Sequence, residues 1–312
     1  MKILVTGGSG FIGSALAGNF IELGHEVRVL DNGSRGNLRR LKKYDSHFEY
    51  IEGDIRDSKK VDQSLKGIQV VFHLAFINGT DNFYRNPIDI LDIAVQGMQN
   101  VLNSSSRDSL EQFHLASSSE VYQNPGVFPT PTDVPLVIPD VTNPRYSYGL
   151  GKIVQEFMLL HSPHLDIRKI IFRPHNIYGP DMGTLHVIPE LFEKIQKAKD
   201  GSLTIKGDGS HTRSFCYISD FVEAINLIMT SSASNAIFNI GTTEEVSIHE
   251  LALRILHELE VQIPLKFSET PLGETSRRVP DISGIRELGF KEGVSLVEGL
   301  KLYNSWHSSK EF

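Results

Sequence analysis

The sequence predicts an α/β fold: a doubly wound parallel sheet with a smaller mixed α/β lobe appended. Two observations carry this. Short apolar runs alternate with helix-periodic stretches over the first two-thirds of the chain, and a glycine-rich turn joins the first run to the first helical stretch.

The short, largely apolar runs Lys2–Thr6, Glu26–Asp31, Phe48–Glu52, Val70–Leu74, Gln112–Ala116 and Arg168–Arg173 read as buried parallel strands. Between them, Phe11–Leu23, Ser58–Leu65, Pro87–Ser105 and Tyr146–His161 carry apolar residues at three-to-four spacing and read as helices. From Gln123 to Arg145 the pattern is broken by Pro125, Pro129, Pro131, Pro135, Pro139 and Pro144, which predicts an extended loop. A loop of that length inside a compact domain is usually functional, a wall or lid over a site. Beyond Arg173 the pattern is mixed, with helices expected at Ile188–Lys197, Asp220–Met229, Ile248–Leu259 and Leu296–Trp306. The expected division is a first domain over 1–175, with segments near 214–242 returning to it, and a smaller lobe made mainly of 176–312.

The 312 residues are 40% hydrophobic and 22% charged, the composition of an ordinary globular chain. Thirty-one Lys and Arg against 38 Asp and Glu leave a net charge of −7, which argues against a nucleic-acid partner. Cys216 is the only cysteine, so no intrachain disulfide and no cysteine metal cluster can form. The histidines at 114, 161, 164, 186, 211 and 249 show no ligand spacing beside carboxylates, and no metal is expected. Met1-Lys2 runs straight into a short strand, and no apolar stretch approaches the length of a membrane span. The reading is of a soluble, cytoplasmic protein without a membrane partner.

Thr6-Gly7-Gly8-Ser9-Gly10-Phe11-Ile12-Gly13 lies between the first strand and the first helix, with Gly7, Gly10 and Gly13 spaced G-x-x-G-x-x-G. Missing side chains allow a tight turn, close approach of a pyrophosphate, and packing of helix on sheet; the helix N-terminus then presents its free N–H groups to the phosphates. Glycines also mark plain turns, but this one has the strand before it and the helix after it that the motif requires. Asp31 follows Gly13 by 18 residues, where a carboxylate can accept both adenosine ribose hydroxyls and repel a 2′-phosphate. That favours NAD over NADP, although Arg35, Arg39 and Arg40 follow and could hold a phosphate. Asp54, after the third strand, can meet the adenine edge or cap the helix beginning near Ser58.

Tyr148-Gly149-Leu150-Gly151-Lys152 opens a helix, and residues four apart share a face, so the Lys152 ammonium lies near the Tyr148 phenol. A cation beside a phenol lowers its pKa from about 10, which makes Tyr148 a credible base. By itself the pair could be ordinary helix surface. Ala116-Ser117-Ser118-Ser119-Glu120-Val121-Tyr122, at the C-terminal edge of the sheet, supplies a serine able to hydrogen-bond the same substrate oxygen.

With these residues in view, the chain resembles the extended short-chain dehydrogenase/reductases that act on nucleotide sugars, over essentially its whole length. The resemblance rests on TGGSGFIG, Asp31, Asp54, His73-Leu74-Ala75, SSSEVY and YGLGK. It implies a Rossmann-type NAD domain in which Gly7, Gly10, Phe11, Ile12, Gly13, Asp31, Asn32, Asp54, Ile55, Leu74, Ala75, Tyr148 and Lys152 hold the cofactor. It makes Ser118, Tyr148 and Lys152 the catalytic triad, with Tyr148 taking the sugar C4-hydroxyl proton as hydride leaves C4 for NAD, and Lys152 holding the nicotinamide ribose.

On the substrate side, Arg173-Pro174-His175-Asn176-Ile177-Tyr178-Gly179-Pro180 resembles the segment whose Asn, here Asn176, contacts the sugar diphosphate. His175 departs from the aromatic residue common there and reads as a packed, hydrogen-bonded side chain. Arg213, within Thr212–Asp220, would bind the diphosphate, and Arg277-Arg278-Val279-Pro280-Asp281 supplies a second basic pair from which Arg278 joins it; either arginine could instead be a surface ion pair, an alternative that stays open for Arg277 in particular.

The implied function is transient C4 oxidation of a nucleotide-diphosphate sugar, most simply 4-epimerisation of the UDP-glucose 4-epimerase kind. Glu120 keeps a second reading open, since SEVY resembles the 4,6-dehydratases and UDP-glucuronate decarboxylases, where a carboxylate can take part in the chemistry. Ser118-Ser119 and Gln123 depart from the dehydratase pattern. A non-catalytic NAD sensor is a third reading, opposed by the complete Ser118, Tyr148 and Lys152 set. The resemblance further implies a homodimer through the helices Pro87–Ser105 and Tyr146–His161, paired as a four-helix bundle.

Overall fold

The computed structural model describes residues 1–163, 166–198, 201–269, 273 and 275–309; His164 lies outside them. In chain order the strands are β1 (Lys2–Thr6), β2 (Glu26–Asp31), β3 (Phe48–Glu52), β4 (Val70–His73), β5 (Gln112–Ala116), β6 (Arg168–Pro174) and β7 (Ile177–Tyr178). They continue with β8 (Leu203–Ile205), β9 (Thr212–Ser214), β10 (Cys216–Tyr217), β11 (Ala236–Ile240), β12 (Glu245–Ser247), β13 (Leu265–Phe267) and β14 (Arg277–Arg278).

The chain divides into two compact units. The first comprises Met1–Gln123, Leu136–Arg173 and Thr230–Phe238. Its sheet runs β11-β6-β5-β4-β1-β2-β3, seven strands, with β1 through β6 paired in parallel. Strand order reverses between β1 and β4, and a doubly wound sheet opens its ligand crevice at the carboxyl ends of those strands. Ile3, Leu4, Val5, Val71, Phe72, Phe113, Leu115, Ile170, Ile171 and Phe172 are fully buried, as a sheet covered on both faces requires.

The helices of this unit are α1 (Phe11–Glu22), α2 (Ser58–Leu65), α3 (Thr80–Arg85), α4 (Pro87–Asp92), α5 (Met98–Asn103) and α6 (Ser147–Leu160). α2 is capped by Asp57, whose carboxylate accepts from the amides of Lys59 and Lys60, so Asp54 is released from the capping role open to it in the sequence. The helix expected over Pro87–Ser105 is interrupted: a π turn, Ile93–Gly97, separates α4 from α5. The widened turn sets Gly97 against Ile55, where a β-carbon would come within 2.4 Å of Ile55 Cδ1. α6 follows a 3₁₀ turn, Pro144–Tyr146, in which Asn143 Oδ1 accepts from the Arg145 amide at 3.0 Å.

The second unit comprises Asn124–Pro135, Pro174–Met229 and Asn239–Phe312. Thus Asn124–Pro135 groups apart from the sequence that flanks it: the Thr130 amide donates to the Val279 carbonyl and the Asp281 amide to the Thr130 carbonyl, both at 2.8 Å. The segment grouping with the first unit late in the chain is Thr230–Phe238, shorter than the 214–242 expected. Small sheets β12-β9-β14, β10-β7 and β13-β8 pack with α7 (Val187–Gln196), α8 (Ile218–Thr230), α9 (Ile248–Glu258), α10 (Ser283–Glu287) and α11 (Leu296–Ser308). Phe192, Leu251, Ile255, Leu300 and Tyr303 form the centre of its core. No helix among the described residues is long and apolar enough to cross a membrane.

Candidate active site and cofactor cradle

The glycine turn makes a cradle that side chains would fill. Gly7 has φ +70°, and a β-carbon there would lie 2.9 Å from the Ala75 backbone. A β-carbon on Gly13 would lie 2.2 Å from the Gly7 carbonyl, whereas one on Gly10 would meet only that carbonyl, at 3.1 Å. Gly7 and Gly13 therefore draw the turn and the helix together, and Gly10 leaves the loop open for a close approach. Gly10, in the capping position before α1, has no side chain to cap it, so the first amides, on Phe11, Ile12 and Gly13, have no acceptor within the helix. These features fit a dinucleotide pyrophosphate.

Asp31, at the end of β2, is buried beside the same turn, its carboxylate accepting from the amides of Ser9 (3.0 Å) and Gly33 (2.9 Å). Of the arginines that could hold a 2′-phosphate, Arg40 donates to the Ser9 carbonyl at 3.0 Å and Arg35 to the Asn78 carbonyl. Asn32 Nδ2 donates to Asp54 Oδ2 at 3.0 Å, and Arg56 grips the same carboxylate through Nε (3.0 Å), Nη2 (2.9 Å) and its own amide (2.9 Å). That clamp holds the Asp54 carboxyl down at about 2. Arg56 also reaches Asp89 on α4 at 2.5 Å, and Asn100 Nδ2 fixes the Ile55 carbonyl at 2.9 Å. Leu74 and Ala75, which continue from β4, donate their amides to Thr6 Oγ1, each at 3.2 Å. The Thr6 hydroxyl also shares a hydrogen bond with His73 Nδ1 at 3.0 Å. Burial, and then the nearby Lys152, depress His73 to about 3, so it is neutral.

α6 turns Tyr148, Lys152, Gln155, Glu156 and Leu159 inward, where all five are buried. Lys152 Nζ donates to the Ala116 carbonyl at 2.8 Å, at the very end of β5, and to Gln155 Oε1 at 3.1 Å. It also stands 4.0 Å from the centre of the Phe76 ring, which meets the Tyr148 ring edge-on at 5.3 Å. Phe83 stacks on Tyr148 at 4.9 Å. Gly151 makes room for this arrangement, since a β-carbon there would lie 3.0 Å from the Phe76 ring. Burial pushes Lys152 down to about 7, against the pull of Glu156, which favours the ammonium.

Ser118 caps the short turn Ser119–Val121 with its hydroxyl, accepting from the Glu120 amide at 3.2 Å. Ser118, Tyr148 and Lys152 all belong to the first unit: Ser118 lies two residues beyond the end of β5, Lys152 reaches the last carbonyl of that strand, and Tyr148 stands one helical turn before Lys152. Glu120 is held by Arg145, whose Nη2 donates to both carboxylate oxygens at 3.2 Å; the two side chains are 15% and 8% exposed. Neither Arg145 nor Phe76 was picked out by the sequence. Deeper in the unit, Arg173 Nε and Nη2 donate to the two Glu156 oxygens at 2.9 and 2.6 Å, Ser117 Oγ donates to Glu156 Oε1 at 2.5 Å, and Arg173 Nη1 donates to the Tyr122 hydroxyl at 2.7 Å.

In the second unit, Arg213 on β9 and Arg278 on β14 are direct register partners in a parallel ladder, so both guanidinium groups leave the same face. Arg213 is steadied by the carbonyls of Thr212 and Thr275, each at 2.8 Å, and Arg278 by Thr275 Oγ1 at 3.2 Å. Asn176, at φ +43°, donates to the Ser214 carbonyl at 2.8 Å and so holds the end of β9. Arg277 points to the opposite side, where it forms a two-bond ion pair with Glu245 at 2.8 Å, the surface-pair alternative open to it in the sequence. His175 is fully buried, with Nε2 3.3 Å from Asn239 Oδ1. Among the described residues no cluster of His, Cys, Asp and Glu is arranged to hold a metal.

The family described as "NAD dependent epimerase/dehydratase family" matches residues 3–241. A Methanocaldococcus jannaschii protein named provisionally as a UDP-glucose 4-epimerase is 35% identical over 97% of both chains. A UDP-N-acetyl-α-D-glucosaminuronate decarboxylase of Bacillus cytotoxicus is 32% identical over 98% of this chain and 97% of its own. Among solved structures, the UDP-glucose 4-epimerase of Thermotoga maritima, determined with UDP-glucose, superposes with a TM-score of 0.89 at 30% identity, over 99% of both chains.

Proposed function

Because the chain belongs to the NAD-dependent epimerase/dehydratase family, we propose that it interconverts nucleotide-diphosphate sugars epimeric at C4. It is an NAD-dependent enzyme of nucleotide-sugar modification. NAD, when bound, accepts hydride from the sugar carbon and returns it. Every other part of the reaction falls to side chains. Tyr148 takes the proton from the C4 hydroxyl and gives it back, Ser118 hydrogen-bonds the same oxygen, and the Lys152 ammonium one helical turn away favours the phenolate. Arg213 and Arg278, side by side on one ladder face, suit the two charged phosphoryl groups of the substrate, with Asn176 steadying that strand.

One observation carries the choice of epimerisation over dehydration: both oxygens of Glu120 are engaged by Arg145. A carboxylate neutralised in this way is a poor base for a carbon acid, whereas epimerisation asks only for the Ser118, Tyr148 and Lys152 set. A second reading, decarboxylation of a UDP-uronate, is favoured by the 32% identity to the Bacillus decarboxylase. The purified enzyme with NAD is incubated with UDP-glucose, UDP-N-acetylglucosamine, UDP-glucuronate and dTDP-glucose, and products are read by mass spectrometry and NMR. The expected product is an isomer of unchanged mass. Loss of carbon dioxide or of water would replace the epimerase reading and bring Glu120 into the chemistry.

The same reading includes a homodimer. Ile88 on α4 and Phe157 on α6 are 68% and 65% exposed on two helices that pack together, an apolar face suited to a second copy. It also places the enzyme in the cytoplasm, supported by its single, buried cysteine, Cys216.

A further inference from the structure

Two side chains that the reaction does not use, Glu156 and Arg173, form one of the most enclosed ion pairs among the described residues, 5% and 2% exposed. A buried pair is weak evidence for stability, because desolvation offsets its attraction, so its position is the more informative fact. Glu156 follows Lys152 by one helical turn on the inner face of α6. Its Oε1 also receives Ser117, which stands between Ala116, whose carbonyl anchors the Lys152 ammonium, and Ser118. One carboxylate thus ties the strand end that carries the serine to the helix that carries the tyrosine and the lysine. Arg173, at the end of β6, closes the arrangement and stacks over the Tyr122 ring at 4.8 Å.

We propose that the Glu156–Arg173 pair is a positioning device that fixes the protonation of Lys152: the Glu156 charge keeps the ammonium, and the donors from Arg173 and Ser117 set how strongly it acts. The proposal rests on Tyr148 and Lys152 handling the proton, which the epimerase and decarboxylase readings share. Lys152 stands near neutrality, where a modest change in its surroundings decides its charge. The other ionisable groups around it are already balanced. His73 on β4 is neutral, Glu120 is paired with Arg145 beside α6, and Asp89 on α4 is paired with Arg56. Tyr148 is the group that the ammonium serves, and the Tyr122 hydroxyl is bound to Arg173. Glu156 is paired as well, with Arg173, but it stands one helical turn from Lys152 on the same buried face, and its charge favours the ammonium.

The test reads Lys152 directly. Full-length protein labelled with ¹³C at lysine Cε is titrated by NMR with and without NAD, and Lys152→Met assigns the signal. Glu156→Gln is expected to lower the Lys152 midpoint by about one pH unit or more, and Glu156→Asp to return it toward the parent value. Ser117→Ala removes a donor from Glu156 without stranding a charge, leaves the carboxylate stronger, and is expected to raise the midpoint. Two variants that loosen the same packing thus shift the lysine in opposite directions, which mere structural damage does not do. Equal midpoints, or shifts of one sign in Glu156→Gln and Ser117→Ala, would overturn the proposal. If Glu156→Gln does not fold, the absence of a rise in Ser117→Ala overturns it alone. None of these measurements needs turnover, so a wrong substrate would not be mistaken for a wrong proposal.

Discussion

Tyr148 is boxed by Phe83 on its face and Phe76 at its edge, so replacing it by Phe preserves the packing and removes only the hydroxyl. Tyr148→Phe should lose at least about a hundredfold in turnover, the usual scale for a general acid–base group. It should keep NAD, because the Gly7–Gly13 turn and Asp31 are untouched; turnover with the active sugar and nucleotide content of the purified protein check the two halves. Ser118, Tyr148 and Lys152 are legible in sequence because they obey local rules, a strand end and a four-residue helical offset. Arg145, Glu156 and Arg173 are not, because each meets a partner from another element: Arg145 lies 25 positions from Glu120, and Arg173 lies 17 from Glu156. Glu156 carried a weak local signal, standing four residues after Lys152.

At the scale of elements, the interrupted helix shows what periodicity alone misses. The three-to-four pattern from Pro87 onward is satisfied equally by a continuous helix and by one with a widened turn, and the choice falls to the contact of Gly97 with Ile55. Gly97→Ala should therefore cost about 1–3 kcal/mol of unfolding free energy, the scale of core overpacking, measured by urea denaturation. Ile55→Val removes the Cδ1 atom that such a β-carbon meets at 2.4 Å, so the double variant should recover part of that loss. Four of the first six strands have the expected bounds; β4 stops one residue short, at His73, and β6 runs one residue on, to Pro174. The proline-rich stretch is a loop as expected, but its pairing with Val279 and Asp281 depends on residues some 150 positions on, beyond any local signal.

For the whole molecule, the alternation of strand and helix was sufficient to read the doubly wound sheet, since parallel strands need crossover helices whatever their side chains. The grouping of late segments was not, because the sheet accepts β11 beside β6 after a long excursion through the second unit. The apolar face of α4 and α6 predicts self-association: Phe157→Glu should convert a dimer to a monomer in sedimentation velocity, and the buried Tyr148 face should keep its structure. α6 buries Lys152, Gln155 and Glu156 alongside Leu159 and leaves Phe157 exposed, so its inner face is unusually polar for a helix that packs on a sheet. Its inward groups are satisfied by Ala116 and Arg173, in the strands flanking it in sequence, and by Ser117, which follows the first of them. Such a helix has little reason to form ahead of the sheet edge it serves. Catalytic competence is then a late acquisition of the folding chain, arriving together with tertiary structure rather than waiting within a preformed segment.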